Sequence, residues 1–142
     1  MMSRTHVAFG VTATIILINI KTGNRFNYWE LIPGAVIGST MPDVDTNSSW
    51  MAQSIPLVDD VLRKTGFLKH RGITHSIWAL IIMIILAFTI RNDFMLGFAV
   101  GYTSHIVLDK ISGIIKITCK CDKKIYNIVW ILNTALVCRI IF

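Results

Sequence analysis

The chain is 142 residues long, 54% hydrophobic and only 15% charged, with a mean hydropathy of +0.61. That length suits one domain over 1–142, and a charged fraction well below the roughly one quarter usual in soluble domains points to a membrane protein instead. The net charge of +6 arises from 14 Lys and Arg against 8 Asp and Glu; in so apolar a chain it is a question of membrane sidedness, and nucleic-acid binding is not expected.

Five apolar segments succeed one another, at Val7 to Ile20, Trp29 to Met41, Ile73 to Ile90, Phe94 to Leu108 and Ile125 to Phe142. The first comes after Arg4 as a signal peptide would, yet Lys21 to Arg25 replaces a small-residue cleavage site, so a retained first helix is expected. Pro42 disfavours helix at Met41 and closes the second. A span needs about 20 residues, and only the third and fifth segments are long enough to cross a bilayer alone. Arg91, Asn92 and Asp93 form a polar turn between the third and fourth. The remaining polar stretch runs from Asp43 to Gly72. Trp29, Trp78 and Trp130 stand near segment starts, as interfacial tryptophans do. Cys119, Cys121 and Cys138 are an odd set, read as structural or free thiols and not as a disulfide framework.

Threading the segments alternately through a membrane sorts the charge. The side holding residues 1–6, 42–72 and 109–124 carries ten Lys and Arg, the other side four. That bias places the first side in the cytoplasm. The expected fold is an all-α polytopic membrane bundle of four to five helices.

All four histidines fall on that same side at segment ends: His6 opens the first, His70 and His75 precede or open the third, and His105 closes the fourth. Asp43 and Asp45 come after the second segment, and Asp109 ends the fourth. His105 and Asp109 are four apart and share a helix face. Gly72 separates His70, expected in the loop, from His75, expected in the first helical turn. Asp43 and Asp45 would point the same way if the stretch after Pro42 is extended. Imidazole with carboxylate favours zinc, manganese or iron over calcium, with zinc foremost. Seven candidate ligands exceed the four of one zinc and fit two ions with a bridging carboxylate. Asp59, Asp60 and Asp122 read as solvated loop charges.

The blocks T-H-x-x-F-G at 5–10, M-P-D-x-D at 41–45, H-R-G-x-T-H-S at 70–76 and G-Y-x-S-H-x-x-x-D at 101–109 resemble the motifs of the YdjM-like family of inner-membrane-associated metal-dependent hydrolases. The resemblance covers about residues 5–113 and is weaker beyond them. The family is in turn distantly similar to the zinc-dependent phospholipase C and single-strand nuclease group, which implies an all-helical fold and a His/Asp metal cluster.

The expected chemistry is hydrolysis of a phosphoester such as a membrane phospholipid. Asp43 or Asp45 would bridge ions or act as base, with Arg71 as a bidentate clamp for an anionic oxygen. Thr74 and Ser76 would orient the ligands. Membrane lipid is the expected partner, and the oligomeric state stays open. Two alternatives remain: a non-catalytic membrane protein whose metal ties helix ends together, and a divalent-metal carrier. The carrier is disfavoured because Ile77 to Ile90 and Phe94 to Ser104 hold no ionisable residue at mid-membrane depth.

Overall fold

The computed structural model describes residues 3–20, 26–45, 73–115 and 119–141. Those residues form five α-helices and no strand: α1 (Ser3–Ile20), α2 (Tyr28–Thr40), α3 (Ile77–Ile90), α4 (Asp93–Ile115) and α5 (Cys119–Ile141). Short 3-10 turns, Met41–Asp45 and Ile73–His75, extend the end of α2 and lead into α3.

Local chemistry sets the helix boundaries. Asn27 caps α2, its side chain accepting from the Trp29 amide at 3.1 Å. Ser76 caps α3, accepting from the Ala79 amide at 3.1 Å. Each satisfies an amide that the first helical turn leaves unpaired. Asn92 does the same for Met95 at 2.7 Å, ahead of α4. Arg91 ends α3 in the left-handed conformation, φ 52 and ψ 33, a C-cap geometry more often given to glycine.

The centre of the bundle is the pair α2 and α4. Both contain glycines four apart, Gly34 with Gly38 and Gly97 with Gly101. A Cβ on Gly34 would strike the Phe94 carbonyl oxygen, one on Gly38 that of Phe98, one on Gly97 that of Leu31 and one on Gly101 that of Ala35. The two backbones therefore touch, and the order of these contacts makes the helices parallel. Close approach through small residues four apart is the packing that helices use where burial of large apolar side chains is not the driving force. α1 runs antiparallel beside them, Gly10 lying against Ser39 and Ser104. α5 meets α1 through a polar clamp: Asn133, 3% exposed, donates from Nδ2 to the Ala8 carbonyl at 3.2 Å, and Thr12 lies 2.6 Å from Asn133 Oδ1. α3 packs on α4 and has no buried residue.

Successive helices alternate in direction. His6, the turn 41–45, the turn 73–75 and His105 to Asp109 consequently gather at one end of the bundle. At the other end the Asn27 amide donates to Asp93 at 2.6 Å.

Three expectations change. Among the described residues no helix is long and apolar enough to cross a membrane. The segment Ile73 to Ile90 fails because its first residues form a 3-10 turn and Ser76 caps the helix proper, leaving 14 helical residues, about 21 Å against a hydrocarbon core of about 30 Å. The segment Ile125 to Phe142 belongs to a helix that begins at Cys119 and takes in Lys120, Asp122, Lys123, Lys124 and Arg139. The stretch after Pro42 is a 3-10 turn and not extended, so alternation does not pair Asp43 with Asp45. His75 lies in the turn before α3, not in its first helical turn.

Candidate metal centre

Asp109 is the hub of the gathered end. Its Oδ1 lies 3.3 Å from His6 Nε2. Its Oδ2 lies 3.4 Å from His75 Nε2 and 3.8 Å from His105 Nε2, the last across one helical turn. Asp43 Oδ1 approaches His105 Nε2 from the other side at 3.5 Å. Four elements thus each deliver a donor: the start of α1, the turn after α2, the turn before α3 and the last third of α4. The His6 and His105 rings stack, centroids 3.9 Å apart and planes 21° from parallel. His75 stands edge-on to His105 at 5.5 Å.

Burial makes these distances informative. His6 and His105 are 1% and 0% exposed. His75 Nε2 and His105 Nε2 are buried without a hydrogen-bond partner among the described residues. A nitrogen 3.3–3.8 Å from a carboxylate oxygen is too far for a good hydrogen bond. It is near the separation of two donors that share one ion: ligands held tetrahedrally at about 2.0–2.1 Å from a zinc lie about 3.4 Å from each other.

The tautomer of His105 points the same way. Its Nδ1 lies 2.7 Å from the Ser39 carbonyl oxygen. A carbonyl only accepts, so Nδ1 carries a proton. Nε2 faces two carboxylates, which favour a proton there despite burial, and a cation bound at Nε2 would take that proton's place. Backbone orientation of the distal ring nitrogen is also how metal-binding histidines are usually fixed. Asp43 is half-buried. Desolvation pushes its carboxyl upward, but the neighbouring His105 and His6 imidazoles outweigh that and hold it below the ordinary carboxylate range.

Two donor groups emerge, His6 with His105 and Asp109, and Asp43 with His75 and His105. Asp109 Oδ2 also approaches His75 and His105 of the second group, while His6 meets the opposite oxygen of the same carboxylate. Five of the seven expected ligands are therefore together. Asp45 shares the 3-10 turn with Asp43. His70 and Arg71 lie outside the described residues. Thr74 Oγ1 is 3.3 Å from His75 Nδ1, whereas the Ser76 hydroxyl is taken up by the cap of α3.

Sequence reasoning missed three supports. The Tyr102 hydroxyl donates to the Thr74 carbonyl and braces the turn carrying His75. The Ser39 carbonyl orients His105. The paired glycines bring α2 close enough to α4 for both; their four-residue spacing inside two apolar segments was the available signal.

The class that fold and site define is a helical bundle with a buried histidine–aspartate cluster at one end, whose donors could hold a metal ion. The chain belongs to the YdjM inner membrane protein family, whose profile matches residues 1–114. It is 23% identical over 122 residues to the inner membrane protein YdjM of Escherichia coli (strain K12), and equally to that of Shigella flexneri. The match covers 79% of this chain and 61% of each relative, so the chain spans less than two thirds of the length of these curated relatives. No solved structure matches.

Proposed function

We propose that this protein is an inner-membrane, metal-dependent hydrolase acting on a phosphoester, with phospholipid the favoured substrate class. The observation that carries the proposal is the convergence of His6, Asp43, His75, His105 and Asp109 with buried Nε2 atoms lacking hydrogen-bond partners among the described residues. Zinc suits this donor set best, with manganese or iron as alternatives. Asp43, His75, His105 and Asp109 would hold one ion. His6 with Asp109 Oδ1 would begin a second position, and Asp109, whose two oxygens face different histidines, would then be a candidate bridging carboxylate beside Asp43 and Asp45.

A membrane setting is supported by three observations. The relatives are named as inner membrane proteins. α3 exposes Ile77, Trp78, Ile82, Ile85 and Phe88, an apolar surface round most of its circumference that water does not favour. The α2–α4 seam is of small-residue type. Helices of 13 and 14 residues are short for a bilayer, and local thinning and interfacial anchoring accommodate such spans at modest cost. The charge bias orients the cluster to the cytoplasm.

A divalent ion supplies Lewis-acid stabilisation of a phosphoryl oxygen and acidifies water. The chain's own groups do the rest. Asp43 is the most exposed of the carboxylate and imidazole donors, its side chain 22% accessible, and is placed to take a proton from water. Arg71, next to a candidate ligand in sequence, would grip the substrate phosphate at two points.

A second reading has its own support: Asp43, His75, His105 and Asp109 would together offer four protein donors, enough to fill the shell of a structural metal site. The deciding experiment measures bound metal in the purified chain, then release of phosphorylated headgroup from labelled vesicles. Metal content with turnover supports the hydrolase, and Arg71→Lys should then lower turnover at least about ten-fold while retaining metal. Full metallation without turnover of any phosphoester establishes the structural role.

A further inference from the structure

The helices α1 and α4 that carry His6 and Asp109, together with α3, which the His75 turn leads into, also wall a groove. It lies between α1 and α3 over a floor of α4 and has a volume of about 610 Å³. Phe9 and Ala13 of α1, Ala87 and Phe88 of α3, and Leu96 and Leu108 of α4 line it. The hydroxyls on its wall are committed within their own helices or to the α5 clamp. Thr103 donates to the Ala99 carbonyl at 2.7 Å, Ser104 to the Gly101 carbonyl at 2.7 Å, and Thr12 contacts the Ala8 carbonyl at 2.8 Å. The groove thus offers a ligand carbon contacts and almost no hydrogen bonds.

Its length and its ends identify the occupant. From Leu96 to Ile111, both in the lining, α4 rises about 22 Å. That exceeds one leaflet of the hydrocarbon core, about 15 Å. Ser104 and Leu108 in the lining are adjacent in sequence to His105 and Asp109 of the cluster. Exposed cations stand at this end: Arg4 at the head of α1 and Lys110 beside Asp109, with Lys123 and Lys124 in the first turns of α5. Volumes of about 300–1,000 Å³ are typical of small-molecule sites.

We infer that the groove holds one acyl chain of an anionic phospholipid, with the headgroup at the Arg4 and Lys110 rim beside the histidine–aspartate cluster. This rests on the hydrolase reading for which lipid is the substrate, although chain binding itself requires no turnover. The groove fixes the chain by apolar burial, the rim selects negative charge, and the headgroup phosphate is brought to the cluster.

The test uses the full chain in detergent, with dihexadecanoyl phosphatidylglycerol as probe and native mass spectrometry as readout. One lipid per chain is expected to survive detergent exchange. Dihexanoyl phosphatidylglycerol should compete at least ten-fold less well. Ala13→Trp and Ala87→Trp fill the groove from opposite walls and should each cut retention at least ten-fold, with helicity and metal content as checks on folding. The double variant Arg4→Gln, Lys110→Gln should remove the preference for phosphatidylglycerol over phosphatidylcholine. Equal competition by the short-chain lipid on unmodified protein overturns the proposal whatever the variants do. So does undiminished retention in both filled variants. Chain-selective retention without phosphoester turnover keeps the groove and removes the hydrolase. Turnover of a soluble phosphodiester with no chain selectivity does the reverse.

Discussion

At the scale of single residues, the cluster sorts its members by what each imidazole faces. His75 and His105 meet Asp109 Oδ2, and His105 also meets Asp43, whereas His6 meets only Oδ1 of Asp109. If Asp43, His75, His105 and Asp109 hold one ion as proposed, removing His75 takes a donor from it and removing His6 does not. His75→Ala should reduce bound metal to under about a tenth, in line with the affinity that whole ligands contribute. His6→Ala should keep about one equivalent and lose only a second. Elemental analysis of both variants, purified in parallel, checks this; equal metal content in the two contradicts the sorting. Which residues take part is largely legible in the sequence, because histidines and aspartates at segment ends are conspicuous in an apolar chain. Their roles are not. Spacing alone makes Asp109 a helix-end partner of His105, and only the folding together of three separate elements shows it to be the shared carboxylate. The pairing of Asp43 with Asp45 fails because an extended and a 3-10 backbone after Pro42 are indistinguishable from five residues.

At the scale of elements, the seam between α2 and α4 is where small changes cost most. A methyl on Gly38 has no free direction, since the Phe98 carbonyl occupies its place and backbone cannot step aside as a side chain can. Gly38→Ala should lower stability by about 1–3 kcal/mol in spite of alanine's better helix propensity. Gly113, with nothing within 4 Å of the position a Cβ would take, is the control. Gly113→Ala should raise stability by about 0.5–1 kcal/mol. Thermal unfolding in one detergent, tracked by circular dichroism, compares the two; equal shifts contradict the seam. The clamp between α5 and α1 is weaker. Asn133→Ala should lose about 1 kcal/mol by the same measurement, within the range found for polar contacts between membrane helices. Helix number is readable from apolar runs and breaks, but helix ends are not. The start of α1 at Ser3, the late start of α3 and the extension of α4 to Ile115 depend on capping and on neighbours that no local window contains.

At the scale of the whole molecule, alternation of helix direction brings the described cluster residues to one end, and the charge bias is the basis for proposing that this end faces the cytoplasm. A reporter fused after Arg91 should read as non-cytoplasmic and one inserted after Arg63 as cytoplasmic. The reverse pattern would turn the cluster to the other compartment. A topology of this kind can be proposed without coordinates, since the proposal needs only segment order and the count of cations. The shortness of the helices against a simple spanning criterion is not accessible that way, because an apolar run does not show where a cap will fall inside it.

The absence of buried residues in α3 carries a consequence for the order in which the molecule comes apart. A helix that buries nothing is fastened by its ends and by whatever it touches on α4. Its leading end is pinned by the Tyr102 hydroxyl on Thr74 and by His75 on Asp109. The ion would then act as a latch for the loosest unit of the bundle, so that occupancy and local opening are two readings of one equilibrium. In hydrogen exchange, chelation should accelerate amides of 77–90 at least ten-fold and leave those of the glycine seam unchanged. Uniform acceleration across all helices would show instead that the ion stabilises the bundle as one cooperative body.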